Sequence, residues 1–229
     1  MLFDRYTREA RLYPAIATLP PFLLLYNFGL HQYISSFVSL ALGLVIGGVS
    51  VSIALIFLLM EVNRFISKMI LEARYFQNEQ KMPTTNLLLF KDNTYSDEHK
   101  KQIRKKIQED FGITLLSKHD EAENETRARQ RITEAVSMIR TKMKEGHLIL
   151  QHNIHYGAAR NLIGGSILAF IVSIIDVVWF GWFVPNQIAI VLSIVFAAIY
   201  GTLIALGKYI VMKQGIYYAR VLFQEYLAS

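Results

Sequence analysis

Four long apolar stretches separate three polar regions along the chain. Tyr13–Leu30 contains Pro14, Pro20 and Pro21, Phe37–Met60 carries no charged residue, Leu162–Val184 carries one acid, and Ile188–Leu206 carries none. A bilayer core of about 30 Å needs roughly 20 apolar residues of helix to cross it, so the pattern predicts four spans in two hairpins. The Pro20-Pro21 pair leaves two forms open for the first stretch, a kinked full span or a re-entrant hairpin.

The polar middle, residues 78–157, reads as one small domain. Ser96 is a helix cap followed by Asp97 and Glu98, Ile103, Ile107 and Phe111 give a helical stripe, and Gly112 stops it. A second helix is expected from about Glu123 to Glu145, with Ile132, Val136, Ile139 and Met143 on one face and Gly146 as its stop. Leu87–Phe90, Ile113–Leu116 and Leu148–Leu150 have the composition of short strands, but such brief runs do not separate strand from helix. Helices are also expected to continue spans two and four through Glu61–Phe76 and Tyr209–Leu227. The expected class is mainly α, four transmembrane helices with a small α or α+β domain between spans two and three. Residues 1–77 form the first hairpin with its extension, 78–157 the domain and 158–229 the second hairpin with its helix.

Composition agrees with a membrane protein. Of 229 residues 53% are hydrophobic, and the mean hydropathy is +0.30. No cysteine is present, which excludes disulfides, thiolate metal sites and a cysteine nucleophile. Charge placement orients the chain: of 24 Lys and Arg, 3 lie in residues 1–12, 18 in residues 61–161 and 3 in residues 207–229, leaving both hairpin tips without any. The positive-inside tendency therefore puts both termini and residues 78–157 in the cytoplasm, with the tips at Gln32 and Asn186 outside.

Several groups of residues carry candidate chemistry. Ala189, Ser193, Ala197, Gly201 and Ala205 recur every four residues in span four, Ser39, Gly43 and Gly47 do so in span two, and Gly165, Ala169 and Ser173 in span three. Such faces let helix backbones approach closely, either within one chain or between copies in a homo-oligomer. Asp176 is the only acid or base inside a span. It suits a pore-facing ring that favours cations, or a buried carboxyl that joins helices. Lys100, Lys101, Arg104, Lys105 and Lys106, with Arg127, Arg129 and Arg131, form two basic runs that suit anionic headgroups, nucleotides or nucleic-acid phosphates, or a solvated helix face. His152 and His155 have ligand spacing without a third ligand. Gly164-Gly165-Ser166 opens a span and reads as close packing rather than a phosphate loop, and no motif of enzymatic chemistry or of a cofactor is present.

The flanks of the spans, Phe3-Asp4-Arg5-Tyr6 through Leu12-Tyr13-Pro14, Gln151-His152-Asn153 through Tyr156, and Arg160-Asn161-Leu162-Ile163-Gly164-Gly165-Ser166, resemble the membrane subunit of Hailong-type bacterial anti-phage defence systems. The resemblance covers the whole chain without a catalytic signature. It implies an inner-membrane, homo-oligomeric ion channel, expected as a tetramer in contact with membrane lipids, that depolarises the cell on opening. It also implies gating by a single-stranded DNA oligomer or nucleotide made by a nucleotidyltransferase partner. The alternative is a non-conducting anchor or sensor that recruits a cytoplasmic partner.

Overall fold

The computed structural model describes residues 4–30, 50–77, 79–144 and 146–229. Gln32, Ser39, Gly43, Gly47 and the first part of the second apolar stretch lie outside the described residues. The described residues are mostly helical and include no strand, so the domain is α rather than α+β.

In chain order, α1 covers residues 5–18 with a π-helical stretch Arg8–Leu12, and α2 covers residues 20–30, ending in the π-helical Leu25–Leu30. Helix α3 begins as Ser50–Ile66 and continues through Ser67–Glu72 and Ala73–Phe76. Next come α4 (Pro83–Asn86), α5 (Asp97–Phe111), α6 (Lys118–Glu123) and α7 (Glu125–Lys142). The last two helices are α8, His147–Phe183 with a π-helical end, and α9, Gln187–Ala228, of 37 and 42 residues. Both are long and apolar enough to cross a membrane. The expected extensions of spans two and four beyond their apolar parts are present in α3 and α9.

The chain forms two compact units. Unit 1 holds residues 1–69 and 157–208, and unit 2 holds residues 70–156 and 209–229.

In unit 1 the prolines of the first apolar stretch decide the packing. A proline cannot donate to the carbonyl four residues before it. Pro14 leaves the carbonyl of Ala10 in this way, and Asn161 Nδ2 donates to it at 2.7 Å. Pro21 leaves that of Ala17, and the Tyr200 hydroxyl donates to it at 2.8 Å. Pro20 leaves that of Ile16, which takes the Leu19 amide at 3.3 Å, and here α1 ends and α2 begins. The first stretch is thus a broken helix whose freed acceptors are met by α8, α9 and its own turn.

Helix α3 approaches α8 equally closely. A Cβ on Gly165 would sit 2.4 Å from the Asn63 side chain, and one on Gly164 would sit 2.7 Å from Ser67 Cβ. Asn63 Nδ2 donates to Thr18 Oγ1 at 2.9 Å and Ser67 Oγ to Asn161 Oδ1 at 3.0 Å. Apolar packing by Ala15, Leu19, Leu59 and Met60, and by Leu24, Phe180 and Ala189, completes the interior.

Unit 2 is an α-helical core in which Leu87, Leu88, Leu89, Ile103, Ile107, Ile132, Val136 and Ile139 meet Ala219, Leu222, Phe223 and Tyr226 of α9. The end of α9 is therefore part of this core, although its sequence follows the last apolar stretch. Ser96 caps α5 by accepting from the His99 amide at 3.2 Å, and Gly112 closes the helix at φ 66°. The helix expected from about Glu123 to Glu145 is α7, Glu125–Lys142: Asn124, at φ −142° and ψ 79°, separates it from α6, and its side chain caps α7 by accepting from the Arg127 amide. The three runs with strand composition find no strand partner. Leu87, Leu88 and Leu89 are buried in turns after α4, 113–116 is irregular, and 148–150 lies within α8.

Tyr200→Phe leaves the Ala17 carbonyl without its donor, and Gly165→Ala forces a methyl against Asn63. Each is expected to destabilise the protein by about 1–3 kcal/mol. Gly181→Ala meets nothing within 4 Å and serves as the control. Thermal unfolding in detergent checks this, with lowered midpoints for the first two and an unchanged one for the third.

Candidate functional site

The two basic runs divide by helix face. In α5 the stripe Ile103 and Ile107 faces the core, and Lys100 and Arg104, three residues before each, turn the same way. Lys100 is fully buried, its Nζ donating to the carbonyls of Leu89 at 2.8 Å, Phe90 at 3.5 Å and Asp92. Arg104 donates to the carbonyls of Leu116 at 2.6 Å and Leu88 at 2.8 Å and to Glu121 Oε2 at 3.2 Å. Its guanidinium lies 4.1 Å from the centre of the Phe90 ring, and burial lowers its pKa against the opposing pull of Glu121. The other Glu121 oxygen accepts the Phe90 amide at 2.7 Å. These two cations hold the segment 88–92 against α5.

In α7 Arg129 lies on the face of Ile132 and Val136. It donates to Glu125 at 2.7 Å, to the Gln80 carbonyl at 2.7 Å and to Asn86 Oδ1 at 2.8 Å. Lys91 also donates to Glu125, and the two cations hold that carboxyl below its usual range. Lys100, Arg104 and Arg129, all candidate ligand-binding cations on sequence, thus spend their donors inside unit 2.

Lys101, Lys105, Arg127 and Arg131 remain at the surface, with Lys106 half-buried. Lys105 is 3.6 Å from Glu109, and Lys106 lies 5.5 Å from the centre of the Tyr226 ring. Arg127 and Arg131, one turn apart, line an open groove of about 590 Å³ with residues 114–117, Asp120, Glu123 and Asn124. The groove offers both signs of charge. Arg131 pairs with Glu134 at 3.4 Å, and Asp120 accepts from Ser117 at 2.7 Å, which lowers its pKa.

His119 lies 3.6 Å from Glu123 and 4.0 Å from Asp120, three exposed side chains on a short helix. The His152 and His155 rings are 6.1 Å apart, and no third ligand joins them among the described residues.

In unit 1 Asp176 is fully buried, and neither carboxylate oxygen has a hydrogen-bond partner among the described residues. Ser173, three residues before it on α8, donates to the Ala169 carbonyl at 2.7 Å. Trp179 Nε1 and Asn63 Oδ1 are likewise buried and unpaired. The stripe of α9 faces inward at one end: Ala189 and Ser193 are buried, Ala197 and Gly201 half-buried, and Ala205 exposed. A Cβ on Gly201 would sit 3.3 Å from the Phe170 ring, so part of this stripe packs within the unit.

Asn63, Asn161 and Tyr200 were not singled out as functional from sequence. The signal for the last two was the spacing of the prolines, which announces carbonyls in need of donors.

No family model, curated protein or solved structure matches the chain.

Lys100→Met removes the donor from three carbonyls, that of Leu89 buried, and is expected to cost about 1–3 kcal/mol of stability. Lys101→Glu and Lys105→Glu touch only the surface and are expected to stay within about 0.5 kcal/mol of the unchanged protein. Denaturant unfolding of the full chain in detergent separates the two groups.

Proposed function

We propose that the chain is the subunit of a homo-oligomeric ion channel of the bacterial inner membrane, expected as a tetramer, that opens to depolarise the cell as an anti-phage effector. All four apolar stretches cross the bilayer in this reading, with both termini and unit 2 in the cytoplasm. Asp176 carries it. An acid buried in a long apolar helix with no basic partner among the described residues is costly in a membrane, about 2.5–3.5 kcal/mol on insertion scales, and is the kind of group found on ion pathways.

Unit 2 is the gating domain. Of its basic runs, Lys101, Lys105, Arg127 and Arg131 are exposed to meet an anionic ligand. The family resemblance makes that ligand a DNA oligomer or nucleotide from a nucleotidyltransferase partner. Phosphate contacts would weaken as salt rises.

One observation favours a second reading, a non-conducting anchor that recruits a cytoplasmic partner: the single chain encloses Asp176 completely. Currents through planar bilayers separate the two. The channel reading expects discrete currents from the purified chain, and a loss of cation preference or conductance in Asp176→Asn with assembly intact. Silence of the unsubstituted chain with and without oligonucleotide would leave the anchor.

A further inference from the structure

We infer that the conduction path of this channel runs for monovalent cations through the interior of unit 1 of each subunit, past Asp176, and not along the surface where subunits meet. The inference rests on the channel reading above.

One face of α8 carries Asn161, Gly165, Ala169, Ser173 and Asp176 at spacings of three and four residues, and all five are buried within the single chain. Where a path is too narrow for a hydrated cation, protein oxygen atoms take the place of its water. Along this interior lie three unpaired acceptors among the described residues, both oxygens of Asp176 and Oδ1 of Asn63, the latter residue being 1% exposed. These are the atoms such an ion would use.

The outer faces offer the reverse. On α8 the exposed side chains include Ile171, Ile174, Ile175 and Val178, and on α9 Val191 and Ile194. Surfaces of this composition suit lipid or a dry contact between subunits and have no carboxylate to hold a cation. A ring of Asp176 side chains around an axis between subunits would require this carboxyl to leave an interior that already encloses it.

The path is shut in this state where α3 meets α8. Asn63 and Ser67 lie so close to Gly165 and Gly164 that a single methyl group would not fit. Parting this contact exchanges the Asn63–Thr18 and Ser67–Asn161 hydrogen bonds for bonds to water, which makes it the place where the bundle opens in this proposal.

The chain contains no cysteine, which makes the test direct. Ser173→Cys places a thiol on the buried face and Ile175→Cys places one on a position that is 48% exposed on the outer face. A positively charged methanethiosulfonate, whose sulfenyl sulfur forms a disulfide with the thiolate and releases methanesulfinate, is added while each variant conducts in a planar bilayer. Ser173→Cys is expected to lose most of its current, restored by dithiothreitol, and Ile175→Cys to keep its current. Block of Ile175→Cys alone, or of neither, overturns the interior path while leaving the channel reading standing. Where Ser173→Cys fails to assemble, Ala169→Cys on the same buried face replaces it under the same criteria. Absence of current in the cysteine-free chain removes the channel reading and this inference together.

Discussion

A carbonyl without a donor in an apolar interior is costly, and three prolines in the first apolar stretch create that situation within a dozen residues. The donors for Ala10 and Ala17 come from Asn161 and Tyr200, 151 and 183 residues later in the chain. Helices α1 and α2 therefore depend on α8 and α9 for donors to these carbonyls, a dependence that apolar packing alone would not create. The Asn63 and Ser67 contacts with Thr18, Asn161 and the two glycines extend the same polar seam across α1, α3 and α8.

The seam inverts the usual distribution of polarity. Unit 1 hides Asp176, Asn63 and Asn161 inside and exposes large apolar side chains along α8 and α9, as expected of a body immersed in lipid. Unit 2 is built around a core of leucine and isoleucine. Three of its cations hold turns and helix faces together from within, while others stand at the surface. A charge run in sequence thus resolves into two physical roles one or two residues apart on one helix.

Much of the secondary structure was legible. Ser96, the apolar stripe of α5 and Gly112 place a helix with both its ends, because caps and periodicity are local signals. The short helix Lys118–Glu123 before α7 was not foreseen, because its six residues carry no apolar stripe. The assignment of 209–229 to unit 2 was hidden because tertiary packing, not composition, decides which core the end of α9 joins. At the candidate site, the stripe Ile103 and Ile107 already implied that Lys100 and Arg104 face inward, a reading that charge density obscured. The enclosure of Asp176 depends on packing among several helices and has no signature in a single chain sequence.

The most direct measurement of the central claim is the membrane potential of bacterial cells expressing this chain, followed with a potential-sensitive dye. The account predicts that induction of the chain alone collapses the potential, and that Asp176→Asn at equal membrane abundance does so much less. A potential unchanged by induction of the unsubstituted chain, present in the membrane as an assembled oligomer, would contradict it.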